Sequence, residues 1–180
     1  MTVDNVQERA GAVTFKGQPM TLLGPELRVG DPAPEFSLTA GDLSNVTREI
    51  LIDEGRRAAL LIVVPSLDTS VCSLESQKFN RRLGEIPGDI AAAVVSLDLP
   101  FAQARWCAAE GDVKLQMLSD YRDRGFGVNY GLVIRELGLL ARAVVVIAKD
   151  GTVSYVQIVH EVADEPDYDA ALKAAAAAAA

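Results

Sequence analysis

Residues 58–85 read AALLIVVPSLDTSVCSLESQKFNRRLGE, and this stretch decides the fold class. Its first eight residues, 58–65, are a continuous apolar run rich in β-branched side chains, which is typical of a strand buried on both faces of a sheet. The second half predicts a helix over 72–85 that ends at a glycine. Side chains at helical spacing support this helix: Leu74, Lys78, Phe79 and Leu83, with Gly84 as the stop. A buried strand followed by a helix is the repeating unit of an α/β domain.

The remaining segments extend this pattern in both directions. Before the quoted stretch, residues 12–23 predict an N-terminal β-hairpin with a Gly-Pro-containing turn, and residues 36–39 predict a short strand. After it we expect, in chain order, a buried strand over 89–98, a short helix over 101–111, a Tyr-, Arg- and Gly-rich stretch over 119–130, a hairpin over 141–158 with an Asp-Gly turn, and a C-terminal helix over 166–180. This order is typical of a thioredoxin-like α/β fold with an added N-terminal β-hairpin.

The length of 180 residues fits a single domain, and no linker or internal repeat divides it. We therefore expect one domain over residues 1–180, with the N-terminal hairpin within 1–24. Residues 174–180 are seven alanines. We interpret this alanine tail as helix-favouring filler whose end frays.

The charge of the chain argues against several kinds of partner. The net charge is −8, whereas nucleic acids and anionic membranes bind clusters of Lys and Arg. No run of about 18 apolar residues predicts a membrane span, and the polar start MTVDNVQERAG does not resemble a secretory signal. We therefore expect a cytoplasmic protein that binds neither nucleic acid nor membrane.

The chain has two cysteines, Cys72 and Cys107, and one histidine, His160. Three soft ligands without a CxxC spacing do not predict a zinc site, and we expect neither a metal nor a cofactor. In a reducing compartment a permanent structural disulfide is not expected, so the cysteines are either inert core thiols or a redox pair. The cysteine count alone favours the inert alternative.

The junction between the buried strand and the helix has the pattern of a reactive site. Cys72 stands where a loop leads into a helix, and the free N–H groups and the dipole at a helix start favour a thiolate. The hydroxyl of Thr69 could reach the sulfur or an oxygen atom of a bound substrate, and Pro65 has no N–H to compete for such bonds. The alternative is an ordinary helix start, with Ser70 or Thr69 as the cap and Cys72 as filler. Spacing alone leaves both interpretations open.

The motif Pro-x-x-x-Thr-x-x-Cys after an apolar strand resembles the active-site motif of the peroxiredoxins. More narrowly, PSLDTSVCSLESQKFN at 65–80 is similar to the thiol peroxidase branch of that family. Two later stretches, PFAQARWCAAEG at 100–111 and LSDYRDRGFGVNYGLVIRELGLLARAVVVIAKDG at 118–151, resemble the same branch in the same order. Ser70 departs from the Pro or Gly that we expect in many relatives.

The resemblance implies a role for each matching residue. Cys72 matches the peroxidatic cysteine, and Cys107 matches the resolving cysteine. Thr69 matches the hydroxyl that positions the peroxide, and Pro65 matches the shielding proline. Arg142 matches the arginine that steadies the thiolate, and its place at the start of an apolar strand independently calls for a partner of opposite charge. For Arg142 the alternative is a salt bridge to Glu136 or to another acid.

The resemblance also implies a reaction cycle. Cys72 would attack a hydroperoxide and become a sulfenic acid, Cys107 would close an intramolecular disulfide, and thioredoxin would reduce that disulfide. A homodimer packed near the active-site loop is expected on the same ground. Two other classes remain open: a hydrolase in which His160 is the base for Cys72, and a redox-sensing or chaperone-like binding module that uses the same cysteines.

Overall fold

The computed structural model describes residues 6–52 and 55–180. Residues 1–5 of the predicted N-terminal segment lie outside the described residues. The strands are β1 (Glu8–Phe15), β2 (Gln18–Leu23), β3 (Ser37–Thr39), β4 (Asn45–Thr47), β5 (Ala58–Val63), β6 (Ile90–Ser96), β7 (Gln116–Ser119), β8 (Val133–Ile134), β9 (Leu139–Leu140), β10 (Ala143–Ala148) and β11 (Val153–Ile158). The helices are α1 (Arg48–Leu51), α2 (Ser70–Arg82), α3 (Pro100–Glu110), α4 (Gly125–Asn129) and α5 (Tyr168–Ala178), and a short 3₁₀ turn, Leu83–Glu85, follows α2.

A seven-stranded mixed sheet forms the centre of the described structure, in the order β11-β10-β5-β6-β7-β3-β4. Strands β5, β6 and β7 run parallel, and β10 pairs antiparallel with β5. The carboxyl ends of the three parallel strands therefore lie at the same edge of the sheet as the start of β10. This edge places the loop after β5 beside the residues that precede β10.

Successive side chains along each strand point to opposite faces of the sheet. The two faces are covered by different elements. In β5 every residue is buried. Leu60 and Ile62 belong to an apolar cluster with side chains of α2, α3 and α5, whereas Leu61 and Val63 belong to a larger cluster with β3, α4 and the segments around β8 and β9. The prediction of a strand buried on both faces is confirmed.

The N-terminal hairpin joins a second, smaller sheet of order β1-β2-β8-β9. Its turn contains Gly17, which adopts a left-handed backbone with a φ of 76°. The hairpin is pinned to the segment after β11, because Thr14 N donates to the His160 carbonyl over 2.6 Å. Its buried side chains Val13, Leu22 and Ile134 form an apolar cluster with Ala141 and Val162.

Three details of the fold differ from the sequence-based expectations. Leu74 falls at helical spacing with Phe79 and Leu83, but Leu74 is exposed and its neighbour Glu75 is buried. The stretch over 119–130 follows a short parallel strand, β7, that the sequence pattern did not predict. The alanine tail is not frayed filler, because Ala175 and Ala179 pack into the same apolar cluster as α2.

No helix in the described part of the chain is long and apolar enough to cross a membrane.

Candidate active site

Cys72 is the third residue of α2 and lies at the carboxyl edge of the central sheet. The chain reaches it from β5 through Val64 and the buried Pro65. Only 1% of Cys72 is exposed, and it packs into the apolar cluster between α2, α3 and the sheet. In this first turn the N–H groups have no partner within the helix, so the sulfur lies next to the positive end of the helix dipole.

Arg142 contacts the sulfur directly. Its Nη2 atom donates to the Sγ atom of Cys72 over 3.3 Å. Arg142 is the residue before β10, and its Nε atom donates to the carbonyl of Val162 over 3.0 Å. Because this guanidinium is 98% buried, little water screens its charge from the sulfur. A buried cation therefore lies in hydrogen-bond contact with the sulfur of Cys72.

Glu75 is the acid that pairs with Arg142, through its Oε2 atom and Arg142 Nη1. The suggestion of Glu136 is wrong: Glu136 instead accepts the Thr21 N–H over 2.9 Å and pairs with Arg135. The other part of that alternative, a salt bridge from Arg142 to a different acid, is correct. Glu75 was missed in the sequence, although its position three residues after Cys72 puts both side chains on one face of a helix.

The Glu75 carboxyl is fully buried, and its Oε1 atom has no hydrogen-bond partner among the described residues. Burial raises the pKa of Glu75 to about 7, and the attraction to Arg142 offsets only part of this rise. The pKa of Arg142 is itself raised, because attraction to Glu75 and Cys72 outweighs the effect of its burial. Arg142 therefore remains a cation, and Glu75 is the member of the pair that titrates near neutrality.

Thr69 is the residue immediately before α2, but its side chain makes no capping bond to the helix. Its hydroxyl instead donates to the Ser66 carbonyl over 2.9 Å. With its proton used in that bond, the oxygen presents lone pairs and can accept a hydrogen bond from another molecule. The exposed position of Thr69 leaves this oxygen accessible from solvent.

Cys107 lies on α3, half-buried, and packs against the same apolar cluster that contains Cys72. Both cysteines are free thiols in this structure. Burial raises the pKa of Cys107, so its protonated form is favoured here. Of the two thiols, the one with a cationic partner at its sulfur is Cys72.

Two side-chain bonds tie α3 to the neighbourhood of Cys72. The indole Nε1 of Trp106 donates to the Ser73 hydroxyl over 2.9 Å. Arg105 forms an exposed ion pair with Asp68 at 3.0 Å. The residues next to each cysteine are therefore in contact with the other cysteine's helix or loop.

His160 is exposed in the segment after β11. The Cys72 sulfur accepts a hydrogen bond from Arg142 and not from an imidazole. The described residues contain no group of three His, Cys, Asp or Glu side chains that could hold a metal ion. This arrangement places a cation at the sulfur of Cys72, which supports chemistry at that sulfur rather than base-assisted hydrolysis.

Comparison with known proteins gives a consistent assignment. Residues 28–172 match the redoxin family. The chain is 50% identical to a thiol peroxidase of Halalkalibacterium halodurans over 93% of this chain and 98% of that protein. It is 48% identical to a thiol peroxidase of Streptococcus sanguinis over 89% of this chain and 96% of that protein.

Solved structures with a similar fold belong to the same kind of protein as these sequence relatives. A peroxiredoxin-like protein from Aquifex aeolicus superposes with a TM-score of 0.84 at 40% identity, covering 97% of this chain and 99% of that one. A thiol peroxidase from Chromobacterium violaceum shares the fold, with a TM-score of 0.79 at 24% identity over 89% of this chain and 93% of that one. The predicted thioredoxin-like fold is confirmed, and the chain belongs to the thiol peroxidase branch of the peroxiredoxin family, whose members are peroxidases.

Proposed function

We propose that this peroxidase reduces hydrogen peroxide and organic hydroperoxides through a sulfenic acid on Cys72 and an intramolecular Cys72–Cys107 disulfide that thioredoxin reduces. The observation that carries the proposal is the 3.3 Å contact between Arg142 Nη2 and Cys72 Sγ, both of which belong to almost completely buried residues. Such a contact favours the thiolate, which is the nucleophilic form of cysteine.

In the first step, the Cys72 thiolate attacks the terminal oxygen of the hydroperoxide. The O–O bond breaks, the terminal OH group is transferred to the sulfur to give the sulfenic acid, and the alkoxide that leaves takes up a proton from solvent to become alcohol, or water from hydrogen peroxide. Thr69 accepts a hydrogen bond from the hydroperoxide, Arg142 donates to the oxygens as charge develops, and the buried Pro65 shields the site from water.

In the second step, the Cys107 sulfur attacks the Cys72 sulfenic acid, and a disulfide and one water molecule form. A disulfide requires the two Cα atoms to lie about 4.4–6.8 Å apart. The two cysteines occupy different helices, so we propose that the start of α2 or part of α3 unwinds in each cycle. The Trp106–Ser73 bond and the Arg105–Asp68 pair would be broken by this movement.

In the third step, a dithiol protein, thioredoxin, exchanges with the disulfide through a mixed disulfide and leaves with the oxidised pair. A cytoplasmic location fits this cycle, because a reducing compartment supplies such dithiols. The physiological role would be antioxidant defence.

A homodimer is part of the proposal. Three exposed apolar side chains lie at the starts of the helices that carry the cysteines: Leu74, Leu99 and Phe101. Large exposed apolar side chains on one region of a surface are typical of contact sites. Light scattering of the wild type beside Phe101→Ser would test this part, since a monomeric wild type contradicts it.

The central experiment measures peroxide consumption with a thioredoxin system, with the wild type beside Cys72→Ser. Many turnovers by the wild type and none by Cys72→Ser support the proposal, and they also separate an enzyme from a redox sensor that reacts once. Residual turnover near the wild-type rate in Cys72→Ser would overturn it.

A further inference from the structure

Asp98 connects the segment before α3, the helix that carries Cys107, to the loop before α2, the helix that carries Cys72. It lies between β6 and α3, two residues before Pro100. Its Oδ1 atom accepts the Ser66 hydroxyl over 2.7 Å, and its Oδ2 atom accepts the Leu67 N–H over 2.8 Å. One carboxylate therefore holds two successive residues of the loop that leads to Cys72.

The same carboxylate is also fixed from its own side. The Ser96 hydroxyl donates to Oδ2 over 2.8 Å, and Gln103 of α3 donates to that hydroxyl over 3.1 Å. The hydroxyl of Ser119, at the end of β7, donates to the Asp98 carbonyl. Residues at the ends of three neighbouring parallel strands thus meet at Asp98, which is the arrangement expected of a rigid anchor.

The anchor reaches Thr69 through Ser66. The Ser66 carbonyl accepts the Thr69 N–H over 3.1 Å and the Thr69 hydroxyl over 2.9 Å. The orientation of the Ser66 peptide therefore sets both the place of the Thr69 backbone and the direction of its hydroxyl. A carboxylate that fixes Ser66 also fixes the group proposed to receive the peroxide.

We propose that Asp98 is a positioning residue that holds the peroxide-binding loop in its reactive conformation and releases it when α3 moves to form the disulfide. This inference rests on the proposed function and adds a link between its two steps. All three donors to the Asp98 carboxylate are neutral groups of the loop and of β6. Hydrogen bonds to a charged acceptor are about twice as strong as those between neutral groups.

The link has a mechanical consequence. The chain from Asp98 to the start of α3 is two residues long, so a displacement of that helix end also displaces the carboxylate. Weakening the carboxylate contacts should then slow the first step, which needs the ordered loop, and ease the second step, which needs its release. A loss of general stability would not change the two steps in opposite directions.

Asp98→Asn tests the link, because the amide keeps the shape but replaces one accepting oxygen with a donor. We expect the second-order rate of Cys72 oxidation to fall on the order of tenfold, as for one lost hydrogen bond to a charged group. Disulfide formation from the sulfenic acid should be at least as fast as in the wild type. The fluorescence of Trp106, the sole tryptophan of the chain, reports both steps because its indole bonds to Ser73 beside Cys72.

Asp150→Asn is the matched control. Asp150 accepts the Thr152 N–H in the turn between β10 and β11, at the opposite edge of the sheet from Cys72. Oxidation rates that are equal in Asp98→Asn and Asp150→Asn would overturn the inference, and so would a slower disulfide step in Asp98→Asn. If Asp98→Asn does not fold, Ser66→Ala removes the same link from the loop side and the same two rates decide.

A double-mutant cycle gives a second readout. If the two residues act through their shared bond, adding Ser66→Ala to Asp98→Asn should slow oxidation by less than the product of the two single effects. Slowing in the double variant that equals the product of the two single effects would overturn the inference. A wild type that does not react with peroxide would instead refute the proposed function itself, so the two failures are distinguishable.

Discussion

The Nη2 atom of Arg142 lies 3.3 Å from the Sγ atom of Cys72, although the two residues are 70 positions apart in the chain. The antiparallel pairing of β10 with β5 produces this contact, because Ala143, next to Arg142, is opposite Val63 at the end of β5. The guanidinium also pairs with Glu75, one helical turn from Cys72. A single cation therefore connects the sulfur of Cys72 and a buried acid of the same helix.

Arg142→Lys should slow Cys72 oxidation on the order of ten- to a hundredfold while keeping the positive charge. An ammonium group is a point charge without the planar fork that reaches Cys72, Glu75 and a backbone carbonyl together. Stopped-flow oxidation by hydrogen peroxide measures the effect. Arg135→Lys, at an exposed ion pair with Glu8, is the control and should oxidise at the wild-type rate. Equal rates in the two variants would show that charge alone suffices at residue 142.

Glu75→Gln should change how stability depends on pH. Burial raises the pKa of Glu75 from 4.5 to about 7, so the folded protein binds this proton more tightly than the unfolded chain does. The stabilisation from that proton is complete below about pH 4.5 and is lost as the pH rises to about 7. The free energy of unfolding of the wild type minus that of Glu75→Gln should therefore decrease across this range.

Urea unfolding at a series of pH values checks this sign. The nearby Glu165 raises the pKa of Glu75 in the same direction, and it is present in both proteins. Val29→Ala, an exposed change that removes no titratable group, is the control and should give a difference that does not vary with pH. A difference that grows with pH would mean that Glu75 is ionised in the folded protein and that its pairing with Arg142 outweighs its burial.

Thr69→Val should reduce the rate of Cys72 oxidation on the order of ten- to a thousandfold, as for the loss of one preorganised hydrogen bond. Valine keeps the branched shape but can neither bond the Ser66 carbonyl nor accept a bond from a peroxide. Thr69→Ser restores the hydroxyl and should recover most of the rate. Unchanged oxidation in Thr69→Val would reduce Thr69 to an ordinary residue at a helix start.

Cys107→Ser separates the two chemical steps. The variant should react once with peroxide at close to the wild-type rate, because the attack uses Cys72, Thr69 and Arg142. Turnover with thioredoxin should then fall steeply, and the stranded sulfenic acid should proceed to sulfinic acid at lower peroxide doses. Intact mass spectrometry should show a gain of two oxygens, whereas the wild type should lose two hydrogens and remain a monomer on a non-reducing gel. A disulfide between chains in the wild type would make the resolving step intermolecular.

Ala175→Glu should destabilise the protein by several kcal/mol, because residue 175 is fully buried and has no room or partner for a carboxylate. Ala177→Glu, two positions along the same helix, is exposed and should change stability by no more than about 0.5 kcal/mol. Thermal unfolding of the two variants compares them directly. Similar midpoints would mean that the end of α5 is not docked in solution.

The sequence was informative where local pattern and topology agree. The apolar run in β5 is typical of a strand covered on both faces, and a cysteine at the start of the next helix follows from where that strand ends. The need of Arg142 for a partner was also evident, since a charge beside an apolar strand must be compensated. The sequence pattern could not identify that partner, because the start of β10 comes into contact with α2 only in the folded domain.

Other features depend on tertiary contacts with no local signal. Leu74 has the apolar character of a core residue, yet Glu75 is the one that is buried, since Arg142 compensates its charge. Asp98 resembles an ordinary turn residue before a helix, and its role became visible only with Ser66 beside it. The alanines of the tail have too little side chain to indicate a face, so the sequence did not predict that Ala175 packs against the sheet.

The 1% exposure of Cys72 in the reduced protein separates its two reaction partners by molecular size. A hydroperoxide is small enough to approach a sulfur that is almost completely covered, whereas another protein is not. On the proposed cycle, thioredoxin can act only after oxidation has moved the sulfur outward into a disulfide. Reductant and oxidant would then never compete for the same conformation, and the order of the half-reactions would follow from shape rather than from relative concentration.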